Sequence, residues 1–314
     1  MTLAHLTVLR GPLEAPIAAD VRALAGAAAS ADGVAPLGEQ PLLGLTAPEP
    51  TTAHLLARAA GGELAGYAQV ALTAPEAASA ELAVAPQWRR RGVGRQLLDG
   101  ALAAAPGPLS VWAHGDLPAA RALAAGAGLA VVRELWFMTA DLPAAPPAPD
   151  PVGPPSPPDP ARAVALPPGV VVRAFVPGRD EDAWLRVNAR AFANHPEQGR
   201  LTRRDLDARQ CEPWFDPAGL LLAERDGALL GSIWLKVHPG DGADAAAGEI
   251  YALGVDPDAQ GLGLGGALTR LGLDQLIGRG LRRAILYTEG DNTVAIAAYT
   301  RAGFTRAGLD VQFA

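Results

Sequence analysis

Residues 255–268 read VDPDAQGLGLGGAL, and glycines at these spacings suit two kinds of chemistry. Gly261, Gly263 and Gly266 spell G-x-G-x-x-G, which can hold a dinucleotide for hydride transfer. Gln260, Gly263 and Gly265 spell Q-x-x-G-x-G, a turn that suits the pyrophosphate of an acyl-coenzyme A. Both readings rest on the same physics. Glycines let successive backbone N–H groups converge on an anion, and the dipole of the following helix adds attraction. A second copy separates the readings. Arg89-x-x-Gly92-x-Gly94, in RRRGVGRQ, has no glycine at the third dinucleotide position, so the two copies share only [Arg/Gln]-x-x-G-x-G. In a dinucleotide unit the first glycine follows its strand almost directly, whereas here residues 256–260 intervene, one of them proline. The oxidoreductase reading keeps one point in its favour, Glu289, at the end of a strand where a ribose-binding acid would stand.

The elements that must position these turns also occur twice. GGELAGYAQVAL (61–72) and RDGALLGSIWLKV (225–237) each read as a turn and strand. Val84-x-Pro86 and Val255-x-Pro257 lead into the two glycine turns, 171 residues apart, and each turn opens a helix with leucines at helical spacing. A further strand follows in each copy, LSVWAH (109–114) and RAILYTE (283–289). Between the copies, residues 143–168 are so rich in proline that they predict an extended, semi-rigid linker. The chain therefore divides into 1–142, a linker over 143–168, and 169–314, an internal duplication of α/β character.

Bulk properties narrow the function. At 314 residues with 49% apolar content, two cores are affordable. A net charge of −7 argues against a general nucleic-acid or anionic-membrane binder. Cys211 is the lone cysteine, so no internal disulfide forms and a reducing cytoplasm is expected. No run approaches the ~18 apolar residues of a membrane span, and the first ten residues do not read as a signal peptide. His5, His54, His114, His195 and His238 never pair at metal-ligand spacing, so no metal is expected. Lys236 is the single lysine beside 25 arginines, a hint that a compact ammonium is wanted there.

The strand–turn–helix pattern resembles the acyl-CoA motif of the GNAT family of N-acetyltransferases. Asn292-x-x-Ala295-x-x-x-Tyr299 followed by Gly303-Phe304 resembles that family's closing helix and its turn into the last strand. The resemblance implies two tandem GNAT domains, each with a mixed α/β sheet, and acetyl-CoA as acyl donor. Backbone donors are then expected at Leu253, Gly254 and Val255, where the family's strand is bulged and splayed, and over Gln260, Gly261, Leu262, Gly263, Leu264, Gly265 and Gly266. The pantetheine arm is expected along Asn292, Thr293, Val294, Ala295, Ile296 and Ala297. In the first copy the matching positions are Leu82, Ala83 and Val84, then Arg89, Arg90, Arg91, Gly92, Val93, Gly94 and Arg95. Acetyl transfer to an amine needs a base for the ammonium proton, donors for the carbonyl oxygen and an acid for the leaving thiolate. Glu249 and Tyr299 suit base and acid. Counting back, Ala78 and Leu123 stand at those positions in the first half, which is therefore expected to be non-catalytic.

Segments 32–40, 134–138, 191–216 and 248–265 further resemble a tandem member of the family whose acceptor is a cysteinyl-glucosaminyl-inositol, a small thiol-glycoside acetylated on its cysteine amine. By that resemblance Glu39, Glu197, Lys236, Glu249 and Tyr287 surround the acceptor. Other amines, such as a protein N-terminus, an aminoglycoside or a polyamine, leave the catalytic argument intact. A non-catalytic acyl-CoA sensor is the rival from another class. A chain carrying its own pseudo-symmetric partner has little need to dimerise, and a monomer is expected.

Overall fold

The computed structural model describes residues 5–47, 51–72, 78–145, 164–193, 195, 198–240 and 245–314. Residues 146–163 of the proline-rich linker, Glu197, and residues 241–244 of the glycine- and alanine-rich loop lie outside the described residues. By internal contact the chain forms two compact units, 1–136 with 289–291 and 308–314, and 137–288 with 292–307.

The first half runs β1 (His5–Arg10), α1 (Ala15–Asp32), α2 (Glu39–Gly44), β2 (Thr52–Arg58), β3 (Leu64–Ala71), β4 (Ala78–Val84), α3 (Val93–Ala104), β5 (Leu109–Ala113), α4 (Pro118–Gly126) and β6 (Val131–Asp141). The second runs β7 (Val171–Ala174), α5 (Glu181–Ala191), α6 (Arg203–Gln210), β8 (Leu220–Arg225), β9 (Ala228–His238), β10 (Ala247–Val255), α7 (Leu264–Gly278), β11 (Arg283–Glu289), α8 (Thr293–Arg301) and β12 (Thr305–Phe313).

In the first unit the strands order β1-β2-β3-β4-β5-β12-β6, with β4–β5 parallel and the pairs from β1 to β4 antiparallel. Each face of this sheet carries a core. Val93, Leu97, Leu98 and Ala101, at helical spacing on α3, pack one face with Leu55, Val70 and Val111. Val21 and Leu24 of α1 cover the other with Leu56, Tyr67 and Leu45. Both faces are thus sealed, and β2 and β3 read as nearly continuous buried runs.

The second unit orders β11-β10-β9-β8-β7, with residues 137–141 of β6 beside β11. One face is closed by an aromatic group, Trp184, Trp214, Phe215, Trp234 and Tyr251, with ring centroids 5.1–5.8 Å apart along its contacts. Trp184 Nε1 donates to Ser232 Oγ at 3.0 Å, satisfying one buried indole. On the opposite face Leu264, Leu268 and Leu276 of α7 are buried, Leu276 against Gly248.

The final strands are exchanged relative to the order of the chain. Residues 308–313 of β12, from the second half, pair antiparallel with β5 through Val311↔Ala113, Gln312↔Trp112 and Phe313↔Val111, completing the first unit. Residues 137–141 of β6, from the first half, belong to the second unit, where Leu142 N–H donates to Arg282 O at 2.8 Å.

Candidate active site

The glycine turn takes its shape from backbone handedness. Gly261 and Gly263 both have φ +79, a left-handed conformation that costs an L-residue about 1–2 kcal/mol. Gly263 is the N-cap of the 15-residue α7, so the turn presents its N–H groups at the positive end of a long helix. Leu264 is buried and anchors the turn, whereas Leu262 is 45% exposed. Gln260 Nε2 donates weakly to Val255 O at 3.4 Å. In the first unit Gly92, φ +85, caps the 12-residue α3 in the same way. There Arg90 stands where Gly261 stands in the second copy, and holds φ +59. Arg89 is bidentate to Asp32, both contacts 2.7 Å, and Arg95 pairs with Asp99 at 2.8 Å. Either guanidinium reaches an anion only by leaving a carboxylate. Arg91 lies over the Trp88 ring at 4.9 Å, and the exposed Arg90 is the less encumbered cation.

Strand β10 is irregular. Its ladder to β9 shifts register between Ile250 and Ala252, a bulge at Tyr251. Its parallel ladder to β11 covers only Gly248↔Ala284, Glu249↔Ile285 and Ile250↔Leu286. Beyond Ile250, the segment with Leu253, Gly254 and Val255 keeps its β9 partners but has none on the β11 side among the described residues. The opening this leaves is of the kind into which backbone N–H donors can point.

Glu249 lies on the paired part of that strand and is only 8% exposed. Its Oε2 is 2.6 Å from His238 Nε2, at the end of β9. Lys236 is its direct cross-strand neighbour. The Lys236 ammonium sits 4.3 Å from the Trp214 ring centre and 5.3 Å from that of Tyr251. The Tyr251 hydroxyl accepts from Arg209 Nε at 2.8 Å. On β11, two residues beyond Ile285, Tyr287 is 46% exposed with its ring 5.1 Å from Phe137. Tyr299, on α8, is buried, edge-on to Phe304 at 5.9 Å, and burial pushes its phenol up to about 12. Asn292 caps α8, its Oδ1 accepting from Ala295 N at 3.0 Å, which fixes the first turn of Thr293, Val294, Ala295, Ile296 and Ala297. Val294 is 80% exposed at that turn. Glu39 begins α2 in the first unit and is half-buried. No motif in the sequence marks His238 for a part in the site.

The strand and helix registers correct two positional matches between the halves. In β4, Ser79 pairs with Ser110 and Ala71, as Glu249 pairs with Ile285 and Lys236. Ser79, not Ala78, therefore stands where Glu249 does, because the bulge adds one residue to β10. Likewise α4 and α8 begin at Pro118 and Thr293 and are followed by left-handed Gly128 and Gly303. Ala124, not Leu123, then occupies the position of Tyr299. The first half thus carries neither a carboxylate nor a phenol at these positions. Its nearest acid on β4 is Glu81, which accepts from Gly38 N–H at 2.6 Å and lies 3.2 Å from His114 Nε2. His114 Nδ1 in turn is 2.8 Å from Asp310 of β12.

Among the described residues no three His, Cys, Asp or Glu side chains converge as metal ligands, and no helix is long and apolar enough to cross a membrane. The profile of the acetyltransferase (GNAT) family matches residues 185–304, and that of an acetyltransferase (GNAT) domain matches residues 50–125. The chain belongs to the GNAT acetyltransferase family, with a domain of that fold in each half, and is an acetyl-transferring enzyme using the family's acetyl-CoA. Among its relatives within the family are mycothiol acetyltransferases. That of Cellulomonas flavigena is 59% identical over 98% of this chain and 88% of its own length. That of Sanguibacter keddieii is 58% identical over 100% and 98% respectively. Among solved structures, a tandem GNAT protein from the clavulanic acid biosynthesis pathway shares the fold with a TM-score of 0.69 at 19% identity, over 98% of both chains. A GCN5-related N-acetyltransferase from Sphaerobacter thermophilus follows at 0.65 and 25%, covering 98% of this chain and 94% of its own.

Proposed function

We propose that this chain transfers acetyl from acetyl-CoA to the cysteine amine of a cysteinyl-glucosaminyl-inositol, giving mycothiol and free CoA. The observation that carries the acceptor is identity of 58–59% with mycothiol acetyltransferases across both halves, including the half without base or acid. The amine must be neutral to attack, and a free α-amine in water titrates at about pH 8, so only modest help is needed. Glu249, directly or through a water, takes the ammonium proton. The amine nitrogen adds to the thioester carbonyl while backbone N–H groups near Leu253–Val255 hold the developing oxyanion. The C–S bond then breaks, Tyr299 gives its proton to the departing thiolate, and the second proton lost by the nitrogen as the amide forms returns to Tyr299 through water. The turn over Gln260–Gly266 holds the pyrophosphate. Lys236, Glu249 and Tyr287 face the acceptor's hydroxyls and ammonium, where charge-assisted hydrogen bonds give affinity. Glu39 and Glu197 complete the acceptor set that the likeness to these relatives suggests. No step requires a metal. The chain works as a monomer in the cytoplasm.

The test is thiol release from acetyl-CoA with and without the cysteinyl-glucosaminyl-inositol, for the wild type and Glu249→Gln. Acceptor-dependent release that falls by about 10²–10⁴ in the variant is expected. Release with other amines but not this one sinks the acceptor assignment, and coenzyme binding without release on any amine favours the sensor.

A further inference from the structure

A general base that collects a proton at every turnover must also lose it. Glu249 is poorly placed to do so alone, since its side chain is only 10% exposed. Its Oε2 lies 2.6 Å from Nε2 of His238, whose own side chain is 40% exposed. A carboxylate can only accept, so His238 Nε2 carries the hydrogen whenever Glu249 is ionised. The ring thus spans from a buried oxygen to solvent. Strand pairing sets this contact. Ala247 stands opposite His238 and Glu249 opposite Lys236, so the imidazole is diagonal to the carboxylate across one antiparallel pair, within reach of a long side chain.

We propose that His238 serves the transfer through Glu249, fixing its carboxylate and carrying the collected proton to solvent. The proton balance is simple. The ammonium N–H proton passes to Glu249. Exchange through solvent moves the ring hydrogen of His238 from Nε2 to Nδ1. Nε2 then accepts the proton from Glu249, and the Nδ1 proton of the resulting imidazolium leaves to water or buffer. That loss leaves Nε2–H facing the ionised carboxylate, which is the starting pair, and no electron changes hands. His238 is a positioning residue in this scheme, since it does not touch the reacting atoms. The other titratable groups around Glu249 are differently employed. Lys236 is held over Trp214 and Tyr251, the Tyr251 hydroxyl is bonded to Arg209, and Tyr287 belongs to β11.

The inference rests on Glu249 being the base, and the experiment separates the two. His238→Gln keeps a donor for the carboxylate but cannot relay a proton, and His238→Ala removes both. With Glu249→Gln run beside them, kcat, KM for each substrate and the pH–rate profile are measured on folded full-length protein. The expected result is a fall in kcat of tenfold or more in both His238 variants with KM nearly unchanged. One ionisation disappears from the pH profile, and added imidazole restores rate to His238→Ala. Wild-type kcat in His238→Gln, with loss only in His238→Ala and no imidazole rescue, overturns the relay. An active Glu249→Gln overturns the base itself, whatever the His238 variants do.

Discussion

At the scale of single residues, two buried polar groups in the two halves do opposite things. Tyr299 is pushed up to about 12 by burial, so it keeps its proton across any working pH, as the proposed acid must. His114 has the reverse task. Burial alone would pull it down, but hydrogen bonds to Asp310 and Glu81 and their charges push it up to about 10. Both ring nitrogens face acceptor-only carboxylates, so the ring is held as an imidazolium. The sign of the linkage follows. Between about pH 6.5, where the unfolded ring releases its proton, and about 10, the folded chain holds a proton that the unfolded chain has lost. Wild-type stability should therefore decline as pH rises through that window. His114→Gln should be destabilised by about 3–5 kcal/mol at neutral pH, because two buried carboxylates lose their cation. It should also lack the decline. Urea unfolding at pH 6, 8 and 10 reads both effects, and parallel curves for the two proteins would refute the assignment.

At the scale of elements, the glycine turn gives a sharp expectation. A methyl on Gly263 meets nothing within 4 Å, so Gly263→Ala is strained only through its φ of +79, a cost of about 1–2 kcal/mol. The same holds for Gly280, φ +81, which lies outside the turn. The two alanine variants should lower Tm alike, yet only Gly263→Ala should raise KM for acetyl-CoA, because the proposed pyrophosphate site lies at that turn alone. This turn was legible in the sequence because left-handed backbone selects glycine, and its repetition removed the competing motif. Asn292 and Tyr299 were singled out through resemblance to the family's closing helix. The bulge at Tyr251 was not, since nothing in GEIYALGV marks where a strand gains a residue. That unseen residue put Ala78 where Ser79 stands, and a one-residue misalignment of the closing helices put Leu123 where Ala124 stands. His238 stayed hidden for a related reason. Its partner is chosen by cross-strand register, which a histidine ending a strand does not announce.

At the scale of the whole molecule, the proline-rich stretch suggested two separable halves, but the strands are not shared out that way. Each half closes on a long strand, and pairing choice is a tertiary matter that local pattern leaves open. Residues 308–313 supply Val311 and Phe313 to a core with Ala124, and Asp310 to the His114 ion pairs. Removing residues 308–314 should therefore destabilise the first unit, seen as early amide exchange in β4 and β5, while β8 to β10 stay protected. Loss of protection confined to the second unit would contradict the exchange. The same strand has a consequence for synthesis. Domains usually fold in the order they leave the ribosome, but the amino-terminal sheet here waits for the last residues described. The second unit can close first, and the half translated earlier stays unfinished, in need of shelter for the open edge of β5, until residues 308–314 have emerged.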